Sequence, residues 1–288
     1  MAFRTSRGAD DFFAAYDAVL AKWPGPVDAL EVPTAYGTTR VHACGAPDGT
    51  PLVLLHGGGA TSTVWFANVR DLGERHRIYA IDLIGEAGRS VADGEAVTGV
   101  GDQMAWLDAV LDQLGVETAD LCGHSYGAWI ALHYAIHSPR VRSLALLDPT
   151  ACFTRWNPRY LLRALPMLLR PTPRRTRDFL RWETGGSGID PACLELQARG
   201  ADFRAAKPIT SPNPDPARLT VPTLVLAAEN SKAHDPHRLI AQAERVVPDV
   251  RTAVLPGVSH HALPTGKAAR LNEILAGFLS EAAAPGTE

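Results

Sequence analysis

Short apolar runs alternate with segments of helical periodicity over most of the 288 residues. Strands buried on both faces of a sheet have this composition, and helices between them imply parallel strand–helix–strand units. The predicted strands are Leu52–Leu55, Ile78–Ile81, Leu121–Cys122 with the residues before it, Leu144–Leu147, Thr223–Ala227 and Val250–Leu255; the predicted helices are Gly101–Leu114, Tyr126–His137, Pro236–Val246 and Ala268–Ser280. An antiparallel hairpin near Ala29–Thr34 and Thr39–Cys44 precedes them. The pattern predicts an α/β fold with a mostly parallel, doubly wound sheet.

One segment interrupts the alternation. Residues 151–219 contain no convincing strand but many prolines and the basic run "RPTPRRTR". A stretch of this length between two core strands predicts a separate excursion, a helical lid over the sheet. We therefore expect residues 1–150 to form the first part of the core, residues 151–219 the lid, and residues 220–288 the second part of the core.

Charge and cysteine content exclude several classes of protein. The formal net charge of −3 disfavours a nucleic-acid binder, which is usually basic. The four cysteines (Cys44, Cys122, Cys152 and Cys193) lie far apart without a CxxC pair, which favours reduced thiols over disulfides or a zinc site. Neither a signal peptide nor a run of about 18 apolar residues is found. We expect a cytoplasmic protein that binds neither nucleic acid nor a membrane.

Ser125 stands at the junction of a predicted strand and a predicted helix, in the sequence Gly123-His124-Ser125-Tyr126-Gly127. This G-x-S-x-G pattern is typical of a nucleophile elbow, where a strained backbone raises the serine Oγ above the sheet. The glycines on either side lack a Cβ that would clash where strand and helix approach each other. The pattern predicts Ser125 as a nucleophile.

A glycine-rich loop follows an earlier strand, in "LVLLHGGG". A tetrahedral intermediate needs two N–H donors directed at its oxyanion. We expect one from Tyr126, directly after the nucleophile, and the other from the loop, at Gly58.

A base must accept the serine proton, because serine is a poor nucleophile at neutral pH. The segment "LPGVSHHALP" follows the last predicted strand and offers His260 and His261. The distance of His260 from the end of the strand favours this residue as the base. We expect His261 to line the pocket or face solvent.

The acid that orients this histidine has three candidates. Asp235 and Glu229 lie in "AENSKAHDPHRLI", after the strand Thr223–Ala227, and Asp148 ends the strand before it. Asp235 would also make a good helix N-cap, with Pro236 as the first helical residue. We rank Asp235 first, then Glu229, then Asp148.

The motifs "LVLLHGGG", "LCGHSYGA", "LVLAAENSKAHDPHRLI" and "LPGVSHH" resemble those of the α/β-hydrolase superfamily, and their spacing most resembles bacterial carboxylesterases of the naproxen-ester-hydrolysing kind. The resemblance implies an acid in a "DPH"-like stretch, which supports Asp235, and no metal or cofactor. Two features depart from it: Gly58 stands where relatives often have a bulky residue, and "ENS" replaces the usual Asp after the strand.

The expected activity is hydrolysis of a carboxylic ester through an acyl-enzyme, with Ser125, His260 and Asp235 as the triad. The apolar residues of the predicted lid favour a small or medium hydrophobic small-molecule substrate; they are Phe153, Trp156, Leu161, Leu165, Leu168, Leu169, Phe179 and Trp182. The same triad would also serve a lactonase, a thioesterase or cyclase, a C–C hydrolase, a cofactor-free perhydrolase or a slow-turnover signal-binding protein.

Overall fold

A computed structural model describes residues 3–185 and 188–282. The strands are β1 (Asp28–Thr34), β2 (Gly37–Gly45), β3 (Thr50–Leu55), β4 (His76–Ile81), β5 (Ala119–His124), β6 (Val141–Leu147), β7 (Thr223–Ala228) and β8 (Val250–Leu255). The helices are α1 (Ser6–Leu20), α2 (Val69–Leu72), α3 (Val100–Gln113), α4 (Tyr126–His137), α5 (Pro158–Leu169), α6 (Pro173–Glu183), α7 (Pro191–Arg199), α8 (Pro236–Val246) and α9 (Ala268–Ala282).

The strands form one sheet in the order β1-β2-β4-β3-β5-β6-β7-β8. Strand β2 pairs antiparallel with both β1 and β4, and all the other pairs are parallel. The predicted mostly parallel sheet and its leading hairpin are confirmed. Since β3, β5, β6, β7 and β8 run in the same direction, the loops that follow them meet at one edge of the sheet.

Both faces of the sheet are covered, which explains why the strands are apolar throughout. In β3, Val53 and Leu55 pack into the core beneath α3, α4 and α8, whereas Leu52 and Leu54 pack into the core beneath α1, α2 and α9. Successive side chains of a strand point to opposite faces, so a strand with helices on both sides needs apolar residues at every position.

Helix α1 was not predicted from the sequence. Its residues Phe12, Tyr16 and Val19 are buried in the same core as Leu52 and Leu54 of β3, and Thr5 caps the helix by accepting the Gly8 N–H at 3.0 Å. The i, i+4, i+7 spacing of these three residues is the signal that would have identified it.

Three helices, α5 to α7, fill the segment between β6 and β7, hereafter the helical insertion (residues 151–219). Its prolines open the helices: Pro158, Pro173 and Pro191 are each the first residue of a helix. Proline suits this position because its missing N–H would have no acceptor within the helix. The residues before them accept amide protons of the first turn and so cap the helices; they are Asn157, Thr172 and Asp190.

The leucines of α5, which are among the residues from which a hydrophobic substrate was inferred, do not face the sheet. Leu161, Leu165, Leu168 and Leu169 are exposed, and the helix turns Tyr160 and Ala164 inward instead. The aromatic residues Trp156, Phe179 and Trp182 pack against one another and against Tyr160 inside the insertion.

Among the residues that the structure describes, no helix has both the length and the apolar character needed to cross a membrane.

Candidate active site

Ser125 joins β5 to α4 with φ 54° and ψ −113°, a backbone conformation that non-glycine residues rarely adopt. Close packing requires glycine on both sides. A Cβ on Gly123 would lie 2.3 Å from the carbonyl oxygen of Gly127, and one on Gly127 would lie 2.4 Å from that of Leu55. The backbone therefore forms the sharp elbow expected from the sequence, with the Ser125 side chain above the carboxyl edge of the sheet.

His260 lies in the loop after β8 and meets Ser125 across that edge. The Nε2 atom is 2.8 Å from Ser125 Oγ, and the Nδ1 atom is 2.6 Å from Asp148 Oδ2. A carboxylate can only accept, so Nδ1 carries the proton and Nε2 is left as the acceptor for the serine hydroxyl. Hydrogen bonds thus connect Ser125, His260 and Asp148 in one line, and His260 and Asp148 are both almost completely buried.

Asp148, ranked third from the sequence, is the carboxylate that contacts His260. It follows β6 directly, with φ 45°, and its N–H donates to Leu226 O. Besides His260, its carboxylate accepts hydrogen bonds from the Ala228 N–H, the Ser231 hydroxyl and His234 Nε2 at 2.8–3.0 Å. Burial alone would raise the pKa of Asp148, but His234 and His260 hold it well below its usual range.

The prediction that Asp235 contacts His260 is wrong. Asp235 caps α8 by accepting the N–H groups of His237 and Arg238 at 3.0 and 3.1 Å, and its side chain is more than half exposed. Glu229 does not reach His260 either; it accepts the Gly257 N–H at 2.7 Å. Strand β7 lies between β6 and β8, so the sheet order alone would allow an acid after β7 as well. Neither carboxylate there is directed at His260, because Glu229 is turned to the Gly257 N–H and Asp235 to the first turn of α8.

The glycine-rich loop after β3 lies against the elbow. A Cβ on Gly57 would lie 3.1 Å from Ser125 Cβ, and one on Gly58 would lie 3.8 Å from Tyr126 Cβ. Tyr126 is the first residue of α4, so its N–H has no acceptor within the helix. The two predicted oxyanion donors, Gly58 and Tyr126, therefore belong to adjacent segments next to the Ser125 side chain.

Two buried side chains hold this loop in place. His56 uses both ring nitrogens: Nδ1–H donates to Gly57 O at 2.9 Å, and Nε2 accepts the Leu83 N–H at 3.1 Å. Glu86 Oε2 accepts the Gly59 N–H at 3.1 Å, and burial raises the pKa of Glu86. The loop is thus anchored on both sides of Gly58.

His261 faces the helical insertion and not Ser125. Its Nε2 is 2.9 Å from the Tyr160 hydroxyl, and the two rings are nearly parallel. Burial lowers the pKa of His261 to about 4. The imidazole of His261 is therefore neutral at physiological pH, and its Nε2 is hydrogen-bonded to a residue of α5.

Two residues of the site were not identified from the sequence. His234 holds Asp148 from the side opposite His260. Glu183, the last residue of α6, is fully buried and accepts the backbone N–H groups of His260 at 3.2 Å and of His261 at 3.0 Å. An acidic residue in the last turn of a helix is unfavourable next to the negative end of the helix dipole, and this is the signal that could have marked Glu183.

The charges around His260 favour its protonated form. Burial by itself would lower the pKa of His260, but the hydrogen bond from Nδ1 to Asp148 and the charges of Asp148 and Glu183 raise it above the ordinary 6.5. The surroundings of His260 therefore favour the imidazolium form of its side chain.

Comparisons with known proteins agree with the fold described above. The model of the alpha/beta hydrolase family matches residues 52–274. The uncharacterized carboxylesterase nap of Bacillus subtilis is 29% identical over 261 residues, covering 86% of each chain. Carboxylesterase YbfK of the same species is 27% identical over 261 residues, covering 86% of this chain and 87% of the relative.

Solved structures of carboxylesterases also resemble this chain, and they do so over a larger part of it. The naproxen esterase (carboxylesterase NP) of Bacillus subtilis superposes with a TM-score of 0.86 at 27% identity, and carboxylesterase CesB (YbfK) superposes with a TM-score of 0.89 at 26% identity. Each comparison covers 96% of this chain and 99% of the other. The resemblance to carboxylesterases noted in the sequence is confirmed, and the chain belongs to the alpha/beta hydrolase family as a hydrolase of the carboxylesterase type.

Proposed function

We propose that the protein is a serine esterase that hydrolyses a carboxylic ester through an acyl-enzyme, with Ser125 as nucleophile, His260 as general base and Asp148 as the acid that orients His260. The observation that carries this proposal is the unbroken pair of hydrogen bonds from Ser125 Oγ through the imidazole to Asp148, at 2.8 and 2.6 Å. These contacts have the roles that a Ser-His-Asp triad requires.

In the first step, Ser125 Oγ bonds to the acyl carbon while its proton passes to His260 Nε2. The carbonyl oxygen becomes an oxyanion, to which the N–H groups of Gly58 and Tyr126 would donate. Asp148 stabilises the imidazolium and keeps it in the orientation needed to return its proton. The tetrahedral intermediate then collapses, and His260 gives that proton to the leaving alkoxide, which departs as the alcohol.

In the second step, a water molecule replaces the alcohol. His260 Nε2 takes a proton from this water, whose oxygen attacks the acyl carbon of the ester formed on Ser125. Collapse of the second intermediate breaks the bond to Oγ, and the proton on His260 returns to Ser125. The net reaction consumes one ester and one water and releases one carboxylic acid and one alcohol, with the enzyme regenerated.

The helical insertion acts as the lid in this proposal and restricts the substrate to small or medium hydrophobic esters. Ser125 is only 8% exposed, which limits access to Oγ. The Ile209 N–H donates to the Tyr126 hydroxyl at 3.1 Å, so the end of the insertion lies beside the elbow. Partly buried Ile84, Phe153 and Ile209 belong to the same apolar cluster as Tyr126 and would contact an apolar acyl or alcohol group.

A fluorophosphonate probe followed by a substrate panel tests the function. We expect labelling of Ser125, identified by peptide mass spectrometry, and steady turnover of p-nitrophenyl esters after any initial burst. The panel would include esters, thioesters and lactones of matched chain length. Binding of these compounds without turnover would favour the slow-turnover signal-binding protein, and preference for a lactone or a thioester would replace the ester assignment.

The rate should depend on pH through His260. A protonated imidazole cannot accept the serine proton, so kcat/KM should rise with pH and level off above the pKa of His260. Because Asp148 and Glu183 raise that pKa, we expect the midpoint above 6.5, in a profile measured from about pH 5 to about pH 9 with p-nitrophenyl acetate. The variant His261→Gln should keep the same midpoint, since His261 is already neutral in this range. A profile that stays flat over the acid half would contradict a histidine base.

A further inference from the structure

Helix α5 exposes a continuous apolar face to solvent. Leu161 and Leu165 are each 44% exposed, Leu168 is 62%, Leu169 is 71% and Leu162 is 72% exposed. Of the large apolar side chains that are exposed in the described residues, only Val91 lies outside this helix. At about 3.6 residues per turn, the five leucines cover one arc of the helix, which faces away from the buried Tyr160. We call this arc the leucine face.

Positive charge lies along one flank of the leucine face. Residues 158–181 contain seven arginines and one acidic residue, Asp178, although the whole chain has a net charge of −3. Arg159, Arg163 and Arg170 fall along one flank of the face by their helical spacing. Their long side chains can place the guanidinium groups in a polar layer while the leucines enter an apolar one.

A cationic groove continues the leucine face at the end of α5. It is open to solvent, has a volume of about 680 Å³, and is lined by Leu169, Asp178 and four arginines (Arg4, Arg170, Arg174 and Arg175). Guanidinium groups recognise phosphate oxygens through paired N–H donors. The groove is therefore suited to an anionic, phosphate-bearing group next to an apolar layer.

We propose that the leucine face and its flanking arginines dock on an anionic lipid surface. An amphipathic helix with leucines on one side and arginines beside them is the type that lies in the plane of a lipid interface. A second copy of the chain is a poorer partner, because a twofold contact through this face would place the same arginine-rich segments opposite each other. The proposal departs from the sequence-based expectation that no membrane is a partner.

Vesicle sedimentation tests this proposal. Wild-type protein should pellet with phosphatidylglycerol vesicles, and pure phosphatidylcholine vesicles should retain at least about ten-fold less, because each arginine near an anionic surface contributes about 1 kcal/mol. Leu162→Gln/Leu169→Gln and Arg170→Gln/Arg174→Gln should each lose about ten-fold or more of the binding. Val91→Gln, which removes an exposed apolar side chain elsewhere, should bind as the wild type does.

Three outcomes would overturn the proposal. They are the absence of sedimentation with anionic vesicles, equal sedimentation of the wild type and the leucine variant, and a dimer in light scattering that Leu162→Gln/Leu169→Gln converts to monomer. Esterase activity on a water-soluble substrate should be unchanged in all three variants, which shows that each one is folded.

A second and independent observation concerns the contact between the insertion and the His260 loop. Glu183 ends α6, and its carboxylate accepts the N–H groups of His260, His261 and Lys232. Lys232 also binds the end of α6 through its side chain, because its Nζ donates to the carbonyl oxygens of Trp182 and Glu183. Helix α6 is therefore linked at one buried point to the loop after β7 and to the loop that carries the proposed base.

We infer that Glu183 is a positioning residue for His260, an inference that rests on the proposed function. Its two backbone contacts hold the peptide groups of residues 260 and 261, so the imidazole is presented to Ser125 by a residue of the insertion. The buried negative charge of Glu183 also favours the imidazolium. The other titratable groups that face His260 are Asp148, His124, His234 and His261.

The variant Glu183→Gln tests the backbone hydrogen bonds and the charge of Glu183 while the size of the side chain, and so its packing, stays the same. The amide has the same shape, but it is uncharged and its NH2 group cannot accept a backbone N–H. We expect kcat to fall by about ten-fold or more, which is the size of effect seen when a residue that orients a metal ligand by a hydrogen bond is replaced. The acid limb of the pH profile should also move to lower pH, because the imidazolium loses a stabilising charge.

The variants Glu183→Asp and Glu195→Gln are the controls. Glu183→Asp keeps the charge, so its acid limb should stay near that of wild type even if kcat falls. Glu195 lies on α7 of the same insertion and pairs with Arg177 at the surface, so Glu195→Gln should change neither kcat nor the profile. An unchanged acid limb in Glu183→Gln would refute the role of Glu183. Absence of wild-type labelling at Ser125 would instead refute the proposed function.

Discussion

Replacing Ser125 with alanine is expected to lower kcat for p-nitrophenyl acetate by about a million-fold, the usual effect of removing the nucleophile of a serine hydrolase triad. The substitution deletes only Oγ, the atom 2.8 Å from His260 Nε2. The elbow glycines and the packing of β5 against α4 are untouched. Stopped assays over hours, with far-ultraviolet circular dichroism to verify the fold, would measure the effect.

A matched control is available at the other end of α4. Ser138 follows the last residue of that helix and is buried to a similar extent, but it lies far from His260. Ser138→Ala should therefore retain nearly wild-type kcat. Turnover by Ser125→Ala above about a tenth of wild type would refute the assignment of Ser125 as nucleophile.

Replacing Asp148 with asparagine should reduce kcat by about ten-thousand-fold, as the loss of the acid does in a well-studied triad. Asparagine can present its NH2 group to His260 Nδ1, which then becomes an acceptor and leaves the proton on Nε2. In that tautomer His260 can no longer take the proton of Ser125. The variant would be assayed with p-nitrophenyl acetate, and its thermal unfolding would be followed in parallel because Asp148 is fully buried.

The variants Asp235→Asn and Glu229→Gln provide the comparison. Asparagine caps helices about as well as aspartate, so Asp235→Asn should retain both the fold and the activity. Glu229 is exposed and accepts the Gly257 N–H, and its replacement by glutamine should likewise have little effect. An inactive Asp235→Asn beside an active Asp148→Asn would mean that the acid used in catalysis is not the one hydrogen-bonded to His260 in this structure.

Most of the core could be predicted because its signals are local. The run Leu52–Leu55 is apolar at every position since helices cover both faces of β3, and such a run can only be a buried strand or a buried helix segment. The elbow is equally local: Gly123 and Gly127 lie two residues from Ser125, and their lack of a Cβ is required by contacts between adjoining elements. Helix α1 was missed although its spacing was regular, because no motif pointed to it.

The orientation of α5 shows where local signals stop being sufficient. Its leucines have the periodicity of a helix, and a helix with an apolar arc is normally assumed to turn that arc inward. In the structure Tyr160 and Ala164 take the inner position, and the leucines face solvent. Periodicity identifies the apolar arc but not what the arc packs against, because the same pattern occurs in helices that face a core, a protein interface or a lipid surface.

The sequence by itself determined the class of fold, and it predicted the elbow at Ser125 and a histidine partner at position 260, because each of these depends on residues close together in the chain. Only the tertiary structure decided which carboxylate contacts His260. Asp148, 112 residues from His260, contacts it because the loops after β6 and β8 meet at the same edge of the sheet, and no one segment of the sequence encodes that meeting. The residues around Asp235 fit the expected acid better. Its carboxylate instead accepts N–H groups that have no other partner at the N-terminus of α8. Glu183 depends in the same way on the packing of α6 against a loop 77 residues away.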